Sequence, residues 1–203
     1  MIMTSQPRYR KESLAYDGTV NSKAVAAVAP NGLSAAPSEP VGPDTEQDID
    51  LLLAFLNTVD AETGTDVLAE TEQWQQWCLR HTGQASVDTA AAREIRDLMR
   101  DSISCGSGES TAIPPATAEW PVRIHLEEGV PVASGSDALG AVLAAASRIA
   151  TVGRWHRIKI CPATNCLWAF YDRSRNRSRT WCSMRVCGNR EKARSWRERH
   201  TPH

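Results

Sequence analysis

Cys161-Pro162-Ala163-Thr164-Asn165-Cys166 opens the stretch that decides how this chain is read, and Cys182-Ser183-Met184-Arg185-Val186-Cys187-Gly188-Asn189-Arg190 closes it. Four of the six cysteines fall within 27 residues, as two C-x4-C pairs separated by fifteen residues. Each pair closes a small loop, and the segment between them brings the loops together. Four thiolates complete the tetrahedral shell of one Zn²⁺ at about 2.3 Å. A redox pair is more often spaced C-x-x-C, and the duplicated spacing speaks against four unrelated buried cysteines. The expectation is one structural Zn²⁺ on Cys161, Cys166, Cys182 and Cys187.

The residues between and after the pairs suggest a fold for the module. Trp168 and Phe170 alternate with Leu167, Ala169 and Tyr171, a strand pattern. Asp172 to Asn176 reads as a turn. In a second arm Ser178, Thr180 and Cys182 share one face, with Arg177, Arg179 and Trp181 on the other. A helix is predicted from about Ser183 or Cys187 to His200, its N-terminus favouring the last thiolate. Knuckle, hairpin and helix make a small treble-clef-like α+β zinc finger. The helix has a narrow inner stripe of Val186, Asn189, Ala193, Trp196 and His200. That placement gives Asn189, with Arg190, a mainly structural role in bonding backbone carbonyls. Arg173, Arg175, Arg177 and Arg179 recur every two residues, which projects them to one side of an extended arm. Arg190, Lys192, Arg194 and Arg197 add a second row on the helix. These eight are the candidate nucleic-acid contacts. The rival readings are a solvated surface and ion pairs within the chain.

Charge sharpens that choice. Residues 1–147 carry 9 Lys and Arg against 21 Asp and Glu, a balance of -12, while residues 148–203 carry 14 against 3, a balance of +11. A net charge of -1 hides this division. A polyanion suits the basic end; mutual neutralisation by packing is the alternative. No apolar run approaches the ~20 residues of a membrane span. Met1 to Asp17 lacks the apolar core of a secretory signal. The expected protein is cytoplasmic with no membrane partner, and clustered thiols in that compartment point to metal rather than disulfides.

Further outward, residues 1–43 are expected to form a disordered tail, too poor in large apolar side chains to offset ordering entropy. Residues 44–152 read as a mainly α domain with a minor β-hairpin, and residues 153–203 as the finger. Ile49, Leu52, Leu53 and Leu56 make the first helical stripe. A second helix fits Thr71 to His81, with Trp74, Trp77 and Cys78 on one face and Gly83 as its stop. A third fits Asp88 to Ser102, with Ala91, Ile95, Leu98, Met99 and Ser102 inward. Residues 104–120 read as loop. Val122 to Leu126 and Val130 to Ala133 make a hairpin around Glu127-Glu128-Gly129. Ser136 or Asp137 caps a fourth helix whose stripe is Leu139, Val142, Leu143, Ala146, Ile149 and Ala150. Cys78 reads as a core residue, Cys105 as an exposed thiol, and His81 and His125 as surface or packing residues. Asn57 and Asp60 read as helix-end caps. This part carries no H-E-x-x-H, G-x-S-x-G or phosphate-loop signature.

Cys187-Gly188-Asn189-Arg190 resembles the signature of the CGNR zinc finger. The surrounding Cys161, Cys166, Trp168-Ala169-Phe170-Tyr171-Asp172, Arg173-Ser174, Arg179, Trp181-Cys182-Ser183-Met184 and Lys192-Ala193-Arg194 are similar to it too. Phe55-Leu56-Asn57-Thr58-Val59-Asp60 and the Trp74/Trp77 helix resemble the opening of the ABATE domain that precedes this finger. The resemblance spans roughly residues 46–199 and leaves out the long tail. It implies a bacterial, stress-related transcription regulator. The expected function is zinc-dependent nucleic-acid binding without enzymatic activity, with DNA ahead of RNA as partner. A small molecule or protein would engage the helical domain. The alternatives are a protein-interaction adaptor, and a ligand-binding or enzymatic helical domain with the finger as scaffold.

Overall fold

Ile49, Leu52, Phe55 and Leu56 recur at helical spacing, and all are fully buried on one face of α1 (Pro43–Leu56). The computed structural model describes residues 43–86, 88–105 and 120–200. The expected tail before Pro43, the expected loop at 106–119 and the thiol of Cys105 lie outside the described residues. Helix α1 packs against α3 (Thr89–Cys105) and α4 (Ala138–Thr151). Helix α2 (Thr71–Thr82) brings Trp74, Trp77 and Cys78 inward. The two indoles stack at 5.0 Å, and the Phe55 ring lies tilted against both, at 6.1 and 6.0 Å. Gly83 ends α2 at φ 67°, its N–H bonded to the Leu79 carbonyl. Burial pushes the Cys78 thiol up to about 11, consistent with a core role.

Asp137 is the cap of α4, its carboxylate accepting the Gly140 N–H at 2.7 Å. Before it, β3 (Val122–Glu127) pairs antiparallel with β4 (Val130–Gly135). Glu128 and Gly129 form a two-residue turn at φ 51° and 85°, the twist that suits a tight hairpin. Gly135 lets the hairpin return onto α4, since a Cβ there would stand 2.0 Å from the Ala141 nitrogen.

Helix α3 departs from its expected stripe. Ala92, Ile95, Arg96 and Ile103 are the buried residues, while Leu98, Met99 and Ser102 are half-buried. Arg96 turns inward because Asp66 waits there, joined by Nη1–Oδ1 at 2.6 Å and Nη2–Oδ2 at 3.1 Å. Asp66 lies on β2 (Thr65–Asp66), which pairs with β1 (Val59–Asp60) in a short ribbon after α1.

The finger's hairpin also differs. Strand β6 (Ala169–Tyr171) pairs with β5 (Ile158–Ile160), ahead of the first cysteine, instead of with an arm at 177–182. That arm is irregular: Arg177 sits at φ 53°, and the Lys159 ammonium takes the Arg177 and Arg179 carbonyls that a ladder would need. Ile158, Ala169 and Tyr171 join the same hydrophobic core as α1 to α4. A smaller core holds Cys161, Ala163, Phe170 and Cys187. No helix of the described residues is long and apolar enough to cross a membrane.

Candidate metal centre

The first knuckle follows β5 directly. The Cys161 N–H bonds the Trp168 carbonyl at 2.9 Å, and the Cys166 and Leu167 N–H groups converge on the Ala163 carbonyl at 2.8 and 3.1 Å. Leu167 at φ 51° reverses the chain into β6. The second knuckle is a π-helical turn, Met184–Gly188, capped by the Ser183 hydroxyl, which accepts the Val186 N–H at 3.3 Å. It swings Cys187 inward, and α5 (Asn189–His200) continues from it.

The four sulfurs converge. All lie within 4.8 Å of one another, with Cys166–Cys182 at 3.5 Å and Cys182–Cys187 at 3.6 Å. A tetrahedron of ~2.3 Å bonds has edges of about 3.8 Å, so the set fits a zinc shell. Its ionisation fits too. Burial pushes the Cys182 and Cys187 thiols up, Cys187 to about 11, and neighbouring sulfurs add to the rise at Cys182. Burial also opposes ionisation of Cys161, but backbone N–H groups of Cys182 and Ala163 prevail and lower it. A divalent cation is what lets all four carry charge together. The centre holds one structural Zn²⁺.

A small four-sulfur finger docked on a helical layer is the class these observations define. Residues 157–200 match the family model of the CGNR zinc finger. No curated protein matches the chain.

The motif residues have distinct tasks. Cys187 is the fourth sulfur. A Cβ on Gly188 would stand 2.5 Å from the Met184 sulfur and 3.2 Å from the Trp181 ring. Asn189 donates to the Arg185 carbonyl at 3.1 Å, a backbone bond of the expected kind, but the residue is exposed instead of lying on a buried stripe. Arg190 reaches Glu62 in the β1–β2 turn at 3.0 Å, a carboxylate and not a carbonyl.

The other candidate contacts scatter, because the arm that would have aligned them is not a strand. Arg173 forms a two-pronged pair with Glu46 of α1, at 2.6 and 2.5 Å. Arg175 is exposed. Arg177 donates to His156 at 3.1 Å. Arg179 bonds the Trp181 and Cys182 carbonyls and lies 5.0 Å over the Phe170 ring. On α5, Arg194 pairs with Glu191 at 2.6 Å, and Lys192 and Arg197 are exposed.

Three anchors escaped the sequence reading. Asn57 caps no helix; its amide pairs with the Ala169 backbone, Nδ2 to O at 2.9 Å and N to Oδ1 at 2.7 Å, as an adjoining strand would. Asp60 instead accepts the Glu62 and Thr63 N–H groups in its own turn. Arg100 of α3 donates to the Leu56 and Leu167 carbonyls, tying α1 to the first knuckle. Lys159 and the fully buried Asp172 meet at 2.6 Å inside the finger. The short Ile158-Lys159-Ile160 run carries no signal that would have found the last of these.

Proposed function

We propose that this chain is a zinc-dependent nucleic-acid-binding protein, with duplex DNA ahead of RNA as partner. It acts as a bacterial transcription regulator and not as an enzyme. Helix α5 carries this reading. It has no buried residue, yet it holds Arg190, Lys192, Arg194, Arg197 and Arg199. A helix of this length with no buried residue gains little from the core. A phosphate backbone offers such a helix a partner, and the major groove admits a helix. The expected inward stripe is outward: Trp196 is 57% exposed and stacks on His200 at 4.7 Å. The helical layer is the ABATE domain of the resemblance, taking a small-molecule or protein signal. Its Asn57 and Arg100 anchors give such a signal a route to the first knuckle.

The test is a titration of labelled duplex DNA across a range of salt concentrations. Each phosphate contact contributes a slope of about -0.9 in log K against log salt. Replacing Arg175 and Lys192 with Ala is expected to weaken binding to all sequences alike and to flatten the slope by up to about 2. Binding to no nucleic acid at any salt would leave the positive surface as a protein-docking face and put the adaptor reading in its place.

A further inference from the structure

A cleft of about 700 Å³ lies between α3 and the finger, within the range of small-molecule sites. Ile103 of α3, Trp155, Ile158 and Ile160 are among its lining residues, so much of its surface is apolar and part of it aromatic. The basic side chains lining it are His156, Lys159 and Arg179, with no carboxylate among the lining residues. No residue of α5 takes part, so the cleft is independent of the feature that carries the nucleic-acid reading.

His156 lines the cleft and Arg177, outside the lining, bonds to it; these two groups form its mouth and are set for an anion. Arg177 Nη1 lies 3.1 Å from His156 Nε2, so the guanidinium donates and that ring nitrogen accepts. The imidazole is therefore neutral in this arrangement and keeps a proton on Nδ1 to donate. Burial, then the charges of Arg177, Arg157, Arg154 and Lys159, hold the ring below the usual histidine range. Every charge that bears on it is positive. Lys159 already donates to Asp172 and to the Arg177 and Arg179 carbonyls, so it supplies field more than new hydrogen bonds. A dianion relieves such a field better than a carboxylate, and guanidinium geometry matches phosphate oxygens.

The geometry points to a binding site for an organic phosphate with a planar apolar body, a mononucleotide in class. The phosphate meets His156 and Arg177 at the mouth, and the planar body lies against Trp155 between the isoleucines.

The experiment is isothermal titration calorimetry of the zinc-loaded full chain, without nucleic acid, using AMP, adenosine and inorganic phosphate as probes. AMP is expected to bind at one site. Adenosine and phosphate should each bind about tenfold more weakly or worse, because each lacks one half of the recognition. Replacing either exposed side chain, His156→Ala or Arg177→Ala, should weaken AMP about tenfold. Ser102→Trp, which fills the cleft from α3, should abolish AMP binding at unchanged zinc content. If that variant fails to fold, the two mouth variants decide. AMP binding no tighter than adenosine, AMP heats unmoved by both mouth variants, or no AMP binding at millimolar concentration would each overturn the site. Failure here leaves the duplex titration untouched, so the two readings fail separately.

Discussion

Asp172 shows how one side chain organises the finger's irregular half. It is fully buried and accepts the Lys159 ammonium at 2.6 Å, the Ser174 N–H at 2.9 Å and the Arg179 N–H at 3.0 Å. Burial opposes its charge, but these donors prevail and hold the carboxyl at about 2. A carboxyl lowered on folding stabilises the protein above its unfolded value, and the contribution fades as pH falls through the folded one. It is therefore complete above about pH 5 and lost towards pH 2, worth roughly 2 kcal/mol. Asp172→Asn should lower the melting temperature at pH 7, and the gap to the parent should narrow as melts are repeated towards pH 3. A gap independent of pH would mean that shape, and not charge, is what Asp172 provides. Arg96 poses the opposite problem, a cation 3% exposed in the helical core. It relies on Asp66, whose own titration is lowered: burial works against the charge, and the Arg96 guanidinium and the Leu68 N–H outweigh it. Asp66→Asn leaves Arg96 underpaired and should cost about 3 kcal/mol in urea unfolding. Arg96 Nε also reaches Asp97 Oδ1 at 2.9 Å, and a loss below about 1 kcal/mol, the worth of an exposed pair, would show that this second carboxylate suffices.

At the level of elements, the sequence was legible where one interaction dominates. The apolar stripes of α1, α2 and α4 state their own period, and Gly83, Asp137 and Glu128-Gly129 mark ends that backbone sterics dictate. The four cysteines declare the metal centre by type and spacing alone. Legibility failed where a polar residue does the work of an apolar one. Arg96 sits four residues after Ala92 on the buried face of α3, but a periodicity count treats arginine as outward. Alternation misled twice around the finger. Ile158-Lys159-Ile160 is too short to stand out, yet it forms β5. Arg177 to Cys182 alternates well, yet Lys159 occupies its carbonyls. The stripe on α5 was real as a pattern, but none of the helix's residues is buried. The true partner of β6 has a consequence for the metal. Because Ile158, Ala169 and Tyr171 share the core of α1 to α4, losing the zinc should be felt in the helices. Structural zinc contributes on the order of 10–16 kcal/mol in small fingers. Chelator, or Cys182→Ser, is expected to lower the melting temperature of the helical circular dichroism signal. Helices that melt unchanged without zinc would show that the two parts fold independently.

Across the whole molecule, the charge division between residues 1–147 and 148–203 is partly resolved within the fold. Glu46 of α1 holds Arg173 in a two-pronged pair, and Glu62 of the β1–β2 turn holds Arg190. Both arginines were candidate phosphate contacts. The Glu46 carboxyl is lowered chiefly by its hydrogen bonds with Arg173, and the Arg173 guanidinium is raised in return, so the pair is mutual. Such pairs sit at or near the surface and contribute little to holding the parts together; Asn57, Arg100 and the shared core do that. Their larger effect is on competition. A phosphate approaching Arg173 or Arg190 must displace a carboxylate, and the carboxylate left behind repels it. Under the nucleic-acid reading, Glu46→Gln with Glu62→Gln should therefore tighten binding to all duplex sequences. If both arginines then reach phosphate, the slope of log K against log salt should steepen by up to about 2. The two glutamines keep side-chain size and hydrogen-bonding capacity, so the melting temperature should move little. The measurement is the duplex titration across salt, run on parent and double variant side by side. An unchanged slope would return Arg173 and Arg190 to a purely structural role. Weaker binding in the double variant would show that the ion pairs orient the finger for nucleic acid instead of masking it.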